Sequence, residues 1–263
     1  MSEERSSLSI ISGGAVLFFV GNGVSNVSKF LLQLLLTRTL GAASYGMYSY
    51  ARTILSVAGV FARLGVTESI MRFVPEFEDD KSTQGGYVTI AFSTSIIGAI
   101  VISILLYGFA GKINNWTLEN PIFTDVLRIF ALFLPLQVSI QAISNTFRAF
   151  EDAKNQVFIR DILMPVLNVL SVAIALVLGA TIVGASAAIA FAGLFAAVVS
   201  LGMLIKRVDI NINFDIGRSE LYEYYSFSVP LTLTAAGSLL YTNVDRLMVG
   251  YFLGDVEVGI YAV

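Results

Sequence analysis

Seven apolar stretches run through the 263-residue chain, at about 10–39, 44–64, 87–110, 123–147, 157–179, 182–205 and 224–252. Each is near or above the roughly 20 residues that a bilayer requires. No other feature constrains the fold as much. In hydrocarbon every backbone N–H and C=O needs a partner within the protein, so consecutive stretches of this kind form helices packed on one another. Composition agrees: 56% of residues are apolar and 13% charged, more apolar surface than a soluble domain of this length can hide. The first and seventh stretches exceed a span, which predicts tilt or projection into water. The expected class is an all-α integral membrane protein with about seven transmembrane helices, and Val256–Val263 begins an eighth.

A repeated motif divides the chain. Leu40-Gly41-Ala42-Ala43-Ser44-Tyr45-Gly46-Met47-Tyr48 reads Leu-Gly, four residues, Gly, any residue, Tyr, and Leu253-Gly254-Asp255-Val256-Glu257-Val258-Gly259-Ile260-Tyr261 reads the same. One copy follows the first apolar stretch and the other follows the seventh. This spacing predicts a six-helix internal repeat whose second copy has just begun where the sequence stops, an arrangement typical of transporters. The implied division is a first lobe over 1–208, a linker over 209–223 and the beginning of a second lobe over 224–263.

Several chemistries are excluded. The chain has no Cys and no His, so disulfides, thiolate chemistry, His-based acid–base catalysis and most zinc sites are absent. A net charge of −3 gives no reason to expect nucleic acid as a partner. The first stretch is longer than a signal-peptide core and follows Glu3, Glu4 and Arg5, so it reads as a span. Arg5, Arg63, Arg72, Lys81, Arg148, Lys154, Arg160, Lys206, Arg207 and Arg218 fall on the side of the N-terminus, against Arg38 and Lys112 on the other, which predicts a cytoplasmic N-terminus. The sequon Asn115-Trp116-Thr117 then falls outside. In the inner loop, Ile70, Met71, Phe73 and Val74 suggest a segment lying in the membrane interface, and Glu76-Phe77-Glu78-Asp79-Asp80 reads as a solvated acidic run rather than a metal site.

Polar residues inside the spans are the chemical signal. In the first helix Asn22, Asn26, Lys29 and Gln33 recur at i, i+4, i+7, i+11, a narrow stripe. The second helix carries Arg52 and Ser56 on a similar stripe, the fourth Gln137, Gln141 and Asn145, and the seventh Thr242 and Asp245 with Arg246 beside them. If the first two helices form a hairpin about Gly41, Lys29 and Arg52 lie at similar depth. A charge there costs at least a few kcal/mol. Snorkelling or structural pairing with Asp245 would explain the cations, but a water-filled cationic cavity built from Lys29, Arg52 and Arg246 explains their clustering. The polar side chains named above would line it, and its ligand would be anionic.

The run Leu34-Leu35-Leu36-Thr37-Arg38-Thr39-Leu40-Gly41, then Tyr45-Gly46-Met47-Tyr48, Leu64-Gly65-Val66 and Arg72-Phe73-Val74-Pro75-Glu76, resembles the start of Wzx-like polysaccharide flippases of the multidrug/oligosaccharidyl-lipid/polysaccharide exporter superfamily. Asp245-Arg246-Leu247-Met248-Val249-Gly250-Tyr251-Phe252-Leu253-Gly254 resembles their seventh-helix region. The resemblance implies two six-helix lobes within twelve to fourteen helices. It implies alternating access that carries a polyprenyl-phosphate- or diphosphate-linked glycan across the plasma membrane, with membrane lipids and glycan-assembly proteins as partners. No metal or organic cofactor is implied, and the chain is not expected to be an enzyme.

Three rivals stand beside this reading. A cation-coupled multidrug exporter of the same fold would use buried carboxylates, and Asp245 is the only acid the sequence places deep. A membrane-bound glycosyltransferase would need a catalytic acidic pair, for which only Asp79-Asp80 offers itself. An inactive remnant would explain a missing second lobe.

Overall fold

The computed structural model describes residues 2–208, 213 and 217–262, and over 2–15 the backbone alone. Much of the linker expected at 209–223 therefore lies outside the described residues. The described elements are helical throughout: α1 (Ser2–Arg63), α2 (Val66–Glu76), α3 (Lys81–Trp116), α4 (Pro121–Ala149), α5 (Ala153–Val157), a π-helical turn (Phe158–Leu163), α6 (Met164–Val177), α7 (Ile182–Arg207), α8 (Arg218–Phe252) and α9 (Asp255–Tyr261).

Four of these are long and apolar enough to cross a bilayer unaided: α3, α4, the continuous run Ala153–Val177, and α7; α1 taken together with α2 gives a fifth. The protein is thus a multi-pass membrane protein. The expected seventh span is a single helix beginning at Arg218 rather than 224, but its polar side chains keep it outside that apolar group.

The hairpin about Gly41 is present. Gly41 adopts φ 82, ψ 174 inside an otherwise helical run, a region that L side chains enter only under strain. Lys29 and Arg52 would stand about 35 Å apart on a straight helix, yet they line one cavity. Gly254, the corresponding glycine of the second copy, has φ 129, ψ −173. The two copies share this break, and they pack on each other. A methyl group on Gly46 would strike the backbone of Asp255 and Gly259, and one on Gly259 would strike the backbone of Ala42. Ala42 and Asp255 are the residues that follow the two hinge glycines, so the contact is reciprocal. Tyr45 Oη donates to the Ala262 carbonyl at 3.3 Å and Asn120 Nδ2 to Asp255 Oδ2 at 2.8 Å at the same end of the bundle.

The core lies along α4. Phe123, Leu127, Phe130 and Leu134 pack with Leu36 and Leu55 of α1, all fully enclosed. Caps fix the starts of the helices: the Asp80 carboxylate accepts from the Ser82 and Thr83 N–H groups, and Asn120 caps α4 ahead of Pro121. The small-residue helix α7 lets Phe133 of α4 sit against Gly193, where a Cβ would overlap the ring.

A second core closes the opposite end, and it corrects the expectation of an interfacial segment. Val66, Ile70, Phe73 and Val74 of α2 are buried against Tyr87, Val88 and Tyr224. The apolar face of this amphipathic helix is covered by the starts of α3 and α8, so the protein itself supplies the surface that the bilayer interface was expected to supply. Arg72 lies over Phe227 at 4.5 Å and meets Glu223 at 3.7 Å, and Tyr87 donates to Glu223 at 3.3 Å.

Candidate substrate cavity

A cavity of about 360 Å³ opens between the two arms of α1, α4, the π-helical turn and α6. Its size lies within the usual range for small-ligand sites, about 300–1,000 Å³. The first arm contributes Asn22, Ser25, Ser28, Lys29 and Leu32, the second Tyr48 and Arg52, and α4 Gln137, Ile140, Gln141 and Ser144. Arg160, Asp161, Met164, Pro165 and Asn168 complete it.

Of the residues expected at the site, Asn22, Lys29, Arg52, Gln137 and Gln141 meet here. No ion pair among the described residues reaches Lys29 or Arg52. The others stand elsewhere. Asn26 is exposed, and Gln33 is half-buried beyond the lining. The Ser56 hydroxyl donates to the Arg52 carbonyl at 2.8 Å within its own helix. Asn145 donates through Nδ2 to Thr67 Oγ1 at 2.9 Å, tying α4 to α2. Thr242 and Asp245 are exposed on α8, where Asp245 accepts from the Tyr261 hydroxyl. Arg246 turns toward α1 and donates from Nη1 to Thr53 Oγ1 at 3.4 Å, but it does not line the cavity, and its buried Nε has no partner.

Asp161 corrects the expectation that Asp245 is the only deep acid. It is 5% exposed. Its Oδ1 accepts from Arg160 Nε at 3.1 Å, and its Oδ2 is buried without a hydrogen bond. Near the start of a span an acid reads as a surface residue. Here the missing side chain of Gly21 lets α1 approach until a Cβ would overlap Val157 and lie 3.3 Å from the Asp161 Cβ, and the acid is covered. The local backbone contributes as well. Pro165 has no N–H for the carbonyl four residues back, that of Asp161, and the preceding turn is π-helical, Phe158–Leu163, a form that recurs at functional sites.

Three other oxygens of the cavity wall share the condition of Asp161 Oδ2: Gln137 Oε1, Ser144 Oγ and Asn168 Oδ1 are buried and make no hydrogen bond among the described residues. An unmatched buried polar atom costs roughly 1–3 kcal/mol, and proteins rarely leave several side by side. Arg63, read from sequence as an orientation signal, also reaches this wall, donating from Nη1 to Gln141 Oε1 at 2.7 Å.

The bundle of bilayer-length helices is hinged at glycine and holds a charged cavity. The fold matches solved transporters. A structure of the MATE multidrug transporter DinF-BH aligns with TM-score 0.73 at 16% identity, covering 97% of this chain and 59% of that one. An outward-facing MATE family transporter of the MOP superfamily aligns with TM-score 0.74 at 16% identity over 94% and 57%. A MOP superfamily transporter from Pyrococcus furiosus aligns with TM-score 0.70 at 16% identity over 83% and 50%. The chain belongs to the polysaccharide biosynthesis protein family, which it matches over residues 12–263. Among curated relatives, the capsular polysaccharide biosynthesis protein CapF of Staphylococcus aureus is 21% identical over 93% of this chain and 58% of its own length. A protein of the Lsg locus of Haemophilus influenzae is 26% identical over 94% and 59%. The chain therefore spans just under three fifths of the relatives it matches.

Proposed function

We propose that this chain forms the first lobe, over 1–208, and the first helices of the second lobe, over 224–263, of a flippase. The protein moves a lipid-linked oligosaccharide or polysaccharide repeat unit from the cytoplasmic to the outer face of the plasma membrane by alternating access. The single observation that carries this reading is the pair Lys29 and Arg52, free of ion pairs among the described residues in one cavity of a membrane-embedded bundle. Unpaired cations at such depth are costly, and a phosphate or diphosphate offsets that cost through charge-assisted hydrogen bonds. Membership of a polysaccharide biosynthesis family supports a glycan as the cargo. Transporter-like folding favours carriage over catalysis.

Arg246 lies on the side of α1 away from the lining and joins the cavity as the lobes move; the exposed stripe of Thr242 and Asp245 is the face that the rest of a second lobe covers. The N-terminus is cytoplasmic, which puts the α2 end of the bundle, rich in Lys and Arg, inside. Membrane lipids and glycan-assembly proteins are the partners. Asp161 is the buried carboxylate that a cation-coupled exporter of this fold would use, and the family match weighs against that reading.

The test changes Lys29, Arg52 and Arg246 singly to Gln in the full-length gene and follows surface glycan, with membrane expression verified. Export falls at least tenfold in each. Native export in all three overturns the cavity assignment.

A further inference from the structure

The two walls of the cavity differ in what they leave unpaired. The wall built by α1 presents cations, Lys29 and Arg52. The wall built by α4, the π-helical turn and α6 carries one cation, Arg160, which is paired with Asp161 Oδ1 at 3.1 Å, and four residues whose buried oxygens, Gln137 Oε1, Ser144 Oγ, Asp161 Oδ2 and Asn168 Oδ1, make no hydrogen bond among the described residues. Ser144 is 1% exposed and Asp161 5%, so the wall is held inside the bundle.

The Asp161 carboxylate repels a phosphate, and the unpaired oxygens beside it are matched by donors such as hydroxyl groups. From these residues we infer that the α4–α6 wall is a sugar-reading subsite. Gln137, Ser144, Asp161 and Asn168 accept hydrogen bonds from the hydroxyls of the sugar next to the phosphate, while Lys29 and Arg52 hold the phosphate itself. The inference rests on the flippase reading and adds to it the residues that tell a glycosylated lipid from its bare carrier. A site built to hydrogen-bond hydroxyls discriminates strongly against a ligand without them, because its own buried oxygens are then left unmatched. Polarity also fixes direction: the phosphate lies toward α1 and the sugar toward α6.

Binding to the full-length protein in detergent micelles tests this. Two probes are used: a polyprenyl phosphate carrying one hexose and the same polyprenyl phosphate without it. The native protein binds the hexosyl lipid about tenfold or more tightly over the bare lipid. Asn168→Leu and Gln137→Leu, which keep side-chain size, each lose about tenfold for the hexosyl lipid, as expected for one lost hydrogen bond at the upper end of its range. Their affinity for the bare lipid is unchanged, which shows that they are folded. Lys29→Gln weakens both lipids alike. Replacing sodium by choline leaves the preference intact.

A hexosyl preference that survives both wall variants overturns the subsite. So does a native preference that disappears with sodium, which would make the wall a cation site. Equal affinity of the native protein for the two lipids overturns the subsite alone. Binding of neither lipid overturns the flippase reading and the subsite with it.

Discussion

At the N-terminus of α3 a single carboxylate holds the helix start. The Asp80 side chain accepts from the Thr83 hydroxyl at 2.7 Å and from the Thr83 and Ser82 N–H groups at 3.2 and 3.1 Å. The Thr83 hydroxyl contributes most to holding the carboxyl below its usual range, and the two N–H groups add to it. A carboxyl lowered by folding stabilises the fold above its unfolded pKa, about 4, and that contribution is lost as pH falls through the folded value. Asp80→Ala therefore lowers the melting temperature near neutral pH, and the gap from the native protein closes on acidification below that range. Melting curves of both proteins from pH 7 to pH 3 check this; a gap that is constant with pH removes the cap from the account. At the same scale, the polar face of the first helix was half legible. At about 100° per residue, Lys29 stands about 20° to one side of Asn22, and Ser25, Leu32 and Ser28 about 60°, 80° and 120° to that side. Asn26 and Gln33 stand about 40° and 20° to the other. The cavity takes Asn22, Ser25, Ser28, Lys29 and Leu32, so the true face is rotated away from the large amides and toward the serines. Serine is common wherever membrane helices touch and gave no separate signal. Asp161 was hidden for another reason: its burial depends on Gly21, far away in sequence.

Among the elements, the hinge about Gly41 behaves as the sequence suggested, because glycine's allowed backbone is a property of the residue itself; the crossing of α1 with α9 was not foreseen. Contacts between distant elements were not legible in this way. The burial of α2 needed the starts of α3 and α8, and the π-helical turn before Pro165 shows only once the chain is folded. The crossing makes a sharp prediction. Gly259→Val forces the α9 backbone from Ala42, and such overpacking costs about 1–3 kcal/mol or more. The melting temperature of the full-length protein falls. Gly108→Val, at a helical glycine with open space around it, produces no comparable loss. Equal effects from the two would mean that helix propensity, not the crossing, sets the cost.

On the scale of the whole molecule, the two ends of the bundle carry different chemistry. One holds the two motif copies with Asn120 and Asp255, and the other holds α2 with Arg72 and Glu223. These 263 residues contain no cysteine, so introduced cysteines report their sidedness once any cysteine elsewhere in the full-length protein is replaced. A single cysteine at Thr117 reacts with a membrane-impermeant maleimide on intact cells, and one at Glu78 reacts only after permeabilisation; the reverse pattern would invert the proposed orientation. The reciprocal seat of Gly46 on Asp255 and of Gly259 on Ala42 bears on inheritance as well as on shape. Each copy is the steric environment of the other, so neither can drift alone. Hybrid genes that join the front of one such chain to the back of another will lose viable combinations first at these four positions, and a substitution at 46 will survive where its counterpart near 255 has already given way.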